Sequence, residues 1–400
     1  MSPQLGAQIL RRVWLWREHL RTGRNGMIIG IPRERKQGER RVAITPDGVS
    51  ELTKSGHTIL IETQAGELSG FADSDFRSAG AKLVPTLEEI WGKANLVVKV
   101  KEPAPEEIKL FRPGLAVFCF LHLAVAPELT RAMVAAEVTG LDYDLVMLDN
   151  GRLPLLEPMS IIAGKLAIQC GAYHLQAGSG GRGVLLGGST GVRPARVVVI
   201  GAGAAGSNAA RVALGMGAEV SILDINTAKL TPFADSFPRA RTLYSTPNAI
   251  ERELAEADLV VGAVLIPGAL APKLIKNEHI THMKKGSVLV DVCIDQGGVS
   301  ETSRPTTIGE PVYTEHGVIH YCVPNMPALV PRTSTEALTS ATLPYIKVLA
   351  EDGIEQTISR SSPLRRSLTS FKGHLTNEVI GEAIGMKAIS EAEVEEYLLR

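Results

Sequence analysis

The segment that most constrains the fold of this chain is residues 197–224, VVVIGAGAAGSNAARVALGMGAEVSILD. A β-branched run at 197–200 is followed by Gly201, Gly203 and Gly206 in the spacing GxGxxG. In a strand–turn–helix unit the first glycine permits the tight turn, the second lets the backbone approach a pyrophosphate, and the third lets the helix lie close to the strand. The pattern therefore predicts a dinucleotide-binding unit.

An aspartate at the end of the next apolar run supports this interpretation. A carboxylate at the position of Asp224 accepts hydrogen bonds from the adenosine ribose and repels a 2′-phosphate. The predicted cofactor is therefore NAD rather than NADP. The intervening helix is predicted from Ser207 to about Met216, with its positive N-terminal end toward the phosphate. The alternative is a glycine-rich turn and an acidic strand end that bind no ligand.

The rest of the chain alternates between short apolar runs and helical patterns. This alternation extends from Met27 to about residue 150 and again over residues 196–294, which predicts an α/β fold with parallel sheets. A connection with seven glycines, residues 178–195, separates the two series, and a helical block runs to the C-terminus. At 400 residues, two domains are the expectation.

Composition points to a small-molecule partner. The 42 basic and 43 acidic residues give a net charge of −1, so there is no electrostatic reason to expect nucleic acid or an anionic membrane as partner. The sequence contains no run of about 18 apolar residues, so no membrane-spanning helix is predicted. The four cysteines have no metal-ligand spacing, so no metal is predicted and they are interpreted as buried thiols in a reducing compartment.

The first 26 residues are set apart from the fold prediction. They contain five arginines and one glutamate before Met27. An organellar transit peptide has this composition. A start codon assigned too far upstream, leaving an unstructured tail, is the interpretation we favour.

Basic side chains follow three apolar runs of the first series. Arg41 precedes the run VAI, Lys101 follows LVVKV together with Lys99, and His122 follows VFCFL. Ligands bind at the carboxyl ends of parallel strands, and an arginine can hold a carboxylate through two hydrogen bonds. A histidine beside two cations would be neutral and able to take a proton. The alternatives are a solvated arginine, a snorkelling lysine and a core histidine.

An acidic pair follows a strand of the second series, in VLVDVCIDQGG. Asp291 and Asp295 are both candidates for strand-end caps. The Gly-Gly turn after Asp295 favours this residue as the one that faces a cleft between the domains. Residues 157–176 are predicted as a helix that Ser160 caps, with small residues on one face that let another element approach closely.

The motifs RVAITP, VKVKEP, FLHLA, VIGAGAAGSNAA, VDVCIDQGG and NMPALVPRTST resemble those of bacterial alanine dehydrogenases. The resemblance extends from Met27 to about Gly385. The NAD-binding subunit of proton-translocating transhydrogenase is a related family with the same fold, but it lacks the lysine and histidine motifs. The resemblance implies NAD-dependent oxidation of L-alanine to pyruvate and ammonium by a cytoplasmic homo-hexamer.

The implied architecture has two Rossmann-like, doubly wound α/β domains. A central NAD-binding domain is predicted at 156–330, and a substrate domain is predicted from 27–155 together with 331–400, after an N-terminal extension at 1–26.

The resemblance also implies roles for individual residues. Arg41 and Lys101 would bind the substrate, and His122 would be the acid–base group with Asp295 as its partner. The implied cofactor contacts, beside the three glycines, are Ser160, Ala204, Ala205, Asp224, Lys229, Ser245, Val264, Leu265, Asn325 and Met326.

Some residues depart from the usual family pattern. Ile161 replaces an acid, Val299 replaces a cysteine, Pro324 precedes Asn325, and residues 142–144 read DYD in place of AYE. None of these changes removes an implied catalytic group. The alternatives left open are an oxidoreductase for another amino or imino acid, a transhydrogenase-like subunit, and an NAD-binding protein without catalytic activity.

Overall fold

The computed structural model of the chain describes residues 26–264 and 270–399. Its strands form two sheets. The N-terminal strands are β1 (Ile28–Ile31), β2 (Thr58–Glu62), β3 (Lys82–Val84), β4 (Leu96–Val98), β5 (Ala116–Cys119) and β6 (Thr139–Asp142). The central strands are β7 (Arg196–Ile200), β8 (Glu219–Asp224), β9 (Arg241–Tyr244), β10 (Leu259–Gly262), β11 (Val288–Asp291), β12 (Val312–Glu315) and β13 (Val318–Tyr321). The C-terminal strands are β14 (Leu368–Phe371) and β15 (His374–Leu375).

Both sheets have the strand order of a doubly wound nucleotide-binding fold. The first runs β3-β2-β1-β4-β5-β6 in parallel and is extended by antiparallel β14 and β15. The second runs β9-β8-β7-β10-β11-β13 in parallel, with antiparallel β12 at its edge. The predicted fold class, α/β with two Rossmann-like sheets, is confirmed. The first sheet takes strands from both ends of the chain. The domain boundaries after residues 155 and 330 stay predictions.

Helices flank the sheets and connect them. Those before β7 are α1 (Pro46–Lys54), α2 (Asp73–Ser78), α3 (Leu87–Lys93), α4 (Pro105–Ile108), α5 (Pro127–Ala135) and α6 (Glu157–His174). The next are α7 (Ala204–Gly215), α8 (Thr227–Ser236), α9 (Pro247–Glu256) and α10 (Asn277–His282). The last are α11 (Pro331–Asp352), α12 (Ile354–Arg360), α13 (Ser362–Arg366), α14 (Glu378–Ile384) and α15 (Glu391–Leu399).

Two long helices carry the chain between the sheets. Helix α6 leads from the first sheet to the second, and α11 leads back, and the two pack against each other. Small residues permit close packing on α6, because a side chain at Gly164 would collide with the carbonyl of Ala205 at the start of α7. Ser160 lies inside the first turn rather than at the cap, since α6 begins at Glu157.

The core lies between each sheet and its helices. Strand β7 is typical, because Val197, Val198, Val199 and Ile200 are all at most 2% exposed. Parallel sheets are covered on both faces, which explains the uninterrupted β-branched runs of the sequence. None of the helices in the described residues is both long and apolar enough to cross a bilayer. Residues 1–25 and the predicted cofactor contact Leu265 lie outside the described residues.

Candidate active site

The carboxyl ends of the two sheets meet, and Asn325 joins them. Its backbone N–H donates to Asp295 Oδ2 at 3.1 Å, within the region that follows the second sheet. Its side chain reaches the loop after β1, where Oδ1 accepts from Arg41 Nη2 at 2.8 Å and Nδ2 donates to Glu39 Oε2 at 2.9 Å. Asn325 adopts a positive φ of 57°, which asparagine tolerates better than most residues.

The guanidinium of Arg41 is held almost completely by protein groups. Glu39 accepts from Nε at 2.7 Å and from Nη2 at 2.6 Å, and both side chains are buried. Burial alone would raise the pKa of Glu39, but the hydrogen bonds and charge of Arg41 lower it to about 2. Nη1 has a different environment: within the described residues its hydrogen bond is to the thioether sulfur of Met159, at 3.0 Å.

Lys101 lies beyond the end of β4 with its ammonium group 5.9 Å from the centre of the Phe120 ring. The residue is 9% exposed. Burial and the positive charge of Arg41 lower the pKa of Lys101, and the charge of Asp295 opposes this shift. Its backbone N–H is fixed by Glu34 Oε2 at 3.2 Å, so the lysine projects from an anchored segment.

Lys99 has a different environment. It is fully buried, and its ammonium group contacts Glu107 at 3.0 Å and Glu34 at 3.5 Å. Burial would lower the pKa of Lys99, but the two carboxylates outweigh it and raise the pKa. The same glutamates also accept backbone N–H groups of Val100 and Ala104, at 2.6 and 2.7 Å. Lys99 is therefore part of the support of the loop.

The imidazole of His122 lies between two carboxylates. Nδ1 is 3.4 Å from Glu102 Oε2, and Nε2 is 3.4 Å from Asp144 Oδ2. Two cations are predicted beside this histidine, whereas the charged groups nearest to its ring nitrogens are acids. The backbone has a positive φ of 50°, a conformation that costs energy in a non-glycine residue and is concentrated at functional sites.

Asp295 lies past the end of its strand. Strand β11 ends at Asp291, and Asp295 is in a short 3₁₀ turn, Ile294–Gln296, where it is exposed. Asp291 is buried and accepts hydrogen bonds from the N–H of Val299 at 2.8 Å and the hydroxyl of Ser303 at 2.6 Å. It holds the following turn together, which leaves Asp295 to face the first sheet.

The glycine-rich turn follows β7 as the spacing predicts. Gly201 has a φ of 101°, and a side chain there would collide with the carbonyl of Ala263. A side chain at Gly206 would collide with the carbonyl of Gly201, whereas nothing lies within 4 Å of the Cβ position at Gly203. Helix α7 begins at Ala204, three residues before the predicted start, because Gly203 is its N-cap. The open space beside Gly203 fits a pyrophosphate group.

Asp224 is the last residue of β8 and closes the same turn. Oδ2 accepts from the N–H of Ala202 at 2.7 Å, and Oδ1 accepts from the N–H of Asn226 at 2.8 Å. Each carboxylate oxygen keeps a second lone pair, so the group fits a ribose hydroxyl as well. Ser245 lies beside it, because its N–H donates to the carbonyl of Asp224 at 3.1 Å.

The other predicted cofactor contacts lie on several different elements of the fold. Ala205 touches α6, and Val264 follows β10, with its N–H at 3.0 Å from the sulfur of Cys293. Lys229 is exposed on α8, and Met326 is buried next to Asn325. In the residues that the structure describes, no three His, Cys, Asp or Glu side chains are grouped so as to hold a metal ion.

Three acids of the site are not among the predicted site residues. Glu39 pairs with Arg41, whereas Glu102 and Asp144 hold His122. Glu102 stands inside the quoted motif VKVKEP, and Asp144 lies two residues after the end of strand β6. The signal for Asp144 was therefore present, since it is the strand-end rule that identified Lys101.

Three of the residues that depart from the family pattern lie on or beside elements of the site, whereas Asp144, in the fourth departure, contacts His122 itself. Val299 is buried against Gly262 at the end of β10. Ile161 lies on α6 next to Ser160, and Pro324 directly precedes Asn325.

Family models and individual relatives both show that the chain is similar to alanine dehydrogenases. The family model for the alanine dehydrogenase/PNT N-terminal domain matches residues 30–163, and the model for the C-terminal domain matches residues 167–378. The chain is 49% identical over 368 residues to an alanine dehydrogenase of Mycolicibacterium smegmatis, which covers 92% of this chain and 99% of that one. It is 50% identical to one of Mycobacterium tuberculosis over 369 residues, covering 92% and 100%.

Solved structures agree with this. An L-alanine dehydrogenase superposes with a TM-score of 0.87 at 46% identity, over 90% of this chain and 99% of that one. A transhydrogenase of Sinorhizobium meliloti, at 24% identity and a TM-score of 0.75 over 87% and 98%, shares the fold. The chain therefore belongs to the alanine dehydrogenase/PNT family.

Proposed function

We propose that this protein is an NAD-dependent L-alanine dehydrogenase that converts L-alanine to pyruvate and ammonium, reversibly. The observation that carries the proposal is the joining of the two sheets at Asn325, which brings Arg41 and Lys101 of one sheet toward Asp295 of the other. The similarity over 92% of the chain to alanine dehydrogenases supports the choice of substrate.

The substrate carboxylate would bind Arg41 through Nη1. Glu39 and Asn325 occupy the other nitrogens of that guanidinium, so Nη1 is the group left to donate to an anion. The Lys101 ammonium adds a second positive charge in a buried setting, where its attraction for a carboxylate or keto oxygen is stronger than in water. Two cations from one sheet would thus orient a small 2-amino or 2-keto acid.

The cofactor would bind at the carboxyl end of the second sheet. The cradle formed by Gly201, Gly203 and Gly206 would hold the pyrophosphate, and Asp224 would accept a ribose hydroxyl and disfavour the 2′-phosphate of NADP. When bound, NAD supplies the hydride acceptor for the Cα hydrogen of alanine. The further proposed contacts are Ser160, Ala204, Ala205, Lys229, Ser245, Val264, Leu265, Asn325 and Met326.

His122 would carry out the acid–base chemistry, with Asp295 as its partner. His122 would take a proton from the reacting amine or from water, so that water can add to iminopyruvate and the resulting carbinolamine can release ammonium. Lys101 and Asp295 would balance the charges that develop on the oxygen and the nitrogen. Closure of the central domain on the substrate domain would exclude bulk water.

Assembly and location extend the proposal. We propose a homo-oligomer, a hexamer by resemblance, in the cytoplasm. Light scattering after size-exclusion chromatography measures the oligomer mass.

The function is tested by NADH formation at 340 nm with L-alanine, L-serine, glycine and 2-aminobutyrate, and by pyruvate plus ammonium in reverse. L-Alanine should give the highest kcat/KM, and a His122→Ala preparation serves as the background control. Folded, NAD-binding protein without activity on any amino acid would contradict the proposal and favour a non-catalytic role. A preference for another amino acid would favour the related oxidoreductase.

A further inference from the structure

Two carboxylates lie at the end of strand β6 beside the histidine, and one of them contacts its ring. Asp142 ends the strand, and Asp144 Oδ2 lies 3.4 Å from His122 Nε2. On the opposite side of the ring, Glu102 Oε2 lies 3.4 Å from Nδ1. The imidazole therefore has an acid at each nitrogen, supplied by two different strand ends.

The protonation of one nitrogen follows from Glu102. This carboxylate also accepts from Lys36 Nζ at 2.5 Å. Burial would raise the pKa of Glu102, but the hydrogen bonds with His122 and Lys36 lower it strongly, so the group is ionised. An ionised acceptor at Nδ1 favours the tautomer with its proton on Nδ1. The proton-exchanging nitrogen is then Nε2, which faces Asp144.

Asp144 has the surroundings of a group that can hold a proton. The charged groups that face it are His122, Lys101, Asp295 and Asp142. Burial raises the pKa of Asp144, opposed by His122 and Lys101 and assisted by Asp295. Burial and the charge of Asp144 raise the pKa of Asp142 to about 7. The Asp144 side chain is still 28% exposed, so it can exchange a proton with solvent.

The proposed reaction produces one proton that needs an acceptor. L-Alanine with a protonated amine, NAD⁺ and water give pyruvate, ammonium, NADH and one H⁺. The proton leaves the alanine nitrogen, whose N–H electron pair stays on nitrogen, before the Cα hydrogen departs as hydride. A base in a closed site must take this proton and pass it on if it is to be ready for the later proton transfers.

We propose that Asp144 is the proton partner of His122. The alanine N–H bond breaks as an N–H bond forms at His122 Nε2. That bond then breaks in turn, its electron pair returns to Nε2, and the proton is bound by Asp144 Oδ2, which releases it to solvent. Asp144 acts through His122 and is thus a positioning and relay residue. The inference rests on the proposed function and names a residue for it.

The test compares Asp144→Asn, Asp144→Glu and the control Asp149→Asn, whose carboxylate is 85% exposed on the same connection and pairs with Arg366. The readouts are kcat for alanine oxidation from pH 6 to 10, NAD affinity and Tm. Wild-type alanine activity is measured first, so that failure of the proposed function is seen separately.

Asp144→Asn should lower kcat about tenfold or more near neutral pH, with recovery as rising pH supplies solvent base. NAD affinity should be unchanged, Asp144→Glu should restore the wild-type pH profile, and Asp149→Asn should match wild type. A wild-type pH profile in Asp144→Asn would overturn the proposal. So would an equal loss at every pH in both the Asn and Glu variants, because that pattern indicates a packing role.

Discussion

Each sheet carries two residues of the same type near the end of one strand, and in both sheets the two residues have different environments. After β4, Lys99 is enclosed by Glu34 and Glu107, whereas Lys101 projects toward the other sheet. At the end of β11, Asp291 is buried in hydrogen bonds, whereas Asp295 is exposed.

The difference within each pair teaches how a parallel strand presents a functional group. In each pair the residue nearer the strand supports the turn: Lys99 holds two glutamates that accept backbone N–H groups of the loop, and Asp291 accepts backbone N–H groups of its own turn. The second residue of each pair, Lys101 or Asp295, is then held in position, and its charged group is not needed to support the turn. Preorganisation of this kind lets a charged group act without rearrangement during the reaction.

The largest expected effect separates the two lysines. Lys99→Met should lower the free energy of unfolding by about 3–5 kcal/mol, because Glu34 and Glu107 lose their buried counter-charge. Lys101→Met should lower kcat/KM for L-alanine by about 10²–10³ with little change in stability, because burial already disfavours its ammonium form. Urea unfolding and initial rates measure both. Wild-type stability in Lys99→Met would remove the distinction.

The aspartate pair should divide in the same way with smaller effects. Asp291→Asn places an amide among donors from Val299 and Ser303, and should cost about 1–3 kcal/mol of stability. Asp295→Asn should keep the wild-type Tm and lower kcat by about tenfold to a hundredfold. Thermal unfolding and turnover are compared on the same preparations. An Asp295→Asn variant with wild-type kcat would show that this carboxylate has no part in the chemistry.

A smaller effect concerns cofactor choice. Asp224→Ala should shift the ratio of kcat/KM for NAD over NADP toward NADP by about tenfold or more, because a repulsive charge is removed and Lys229 remains nearby. Tm should fall slightly, since the N–H of Ala202 loses its acceptor. Asp235→Ala, exposed on α8, is the control. An unchanged ratio would contradict the role of Asp224 at the ribose.

The smallest effect is a pH-dependent change in stability at Asp142. Burial and Asp144 raise its pKa to about 7 in the folded protein, so the folded state binds more protons than the unfolded state between about pH 4 and 7, and stability falls as pH rises through that window. Asp142→Asn stays neutral and should gain a few degrees in Tm at pH 8, and less at pH 5. An equal gain at both pH values would contradict the raised pKa.

The sequence predicted the fold because periodicity and glycine spacing are local signals. The run VVVIGAG identifies a strand and a turn without knowledge of the rest of the chain. The strand-end rule likewise selected Lys101 and His122 as candidates. It could not separate Lys99 from Lys101, since the enclosing Glu34 comes from a different strand end. Glu102 and Asp144 also lie near strand ends, but their contacts with His122 could not be predicted for the same reason, because contacts between strand ends depend on strand order.

The most direct test of the central claim is a double-mutant cycle across the two sheets. The claim is that Lys101, from the first sheet, and Asp295, from the second, form one catalytic site. The kcat/KM for L-alanine is measured in wild type, Lys101→Met, Asp295→Asn and the double variant. If the two groups act as a unit, the kcat/KM of the double variant should be about equal to that of the less active single variant. Losses that simply multiply would show that the two sheets act independently and would contradict the claim.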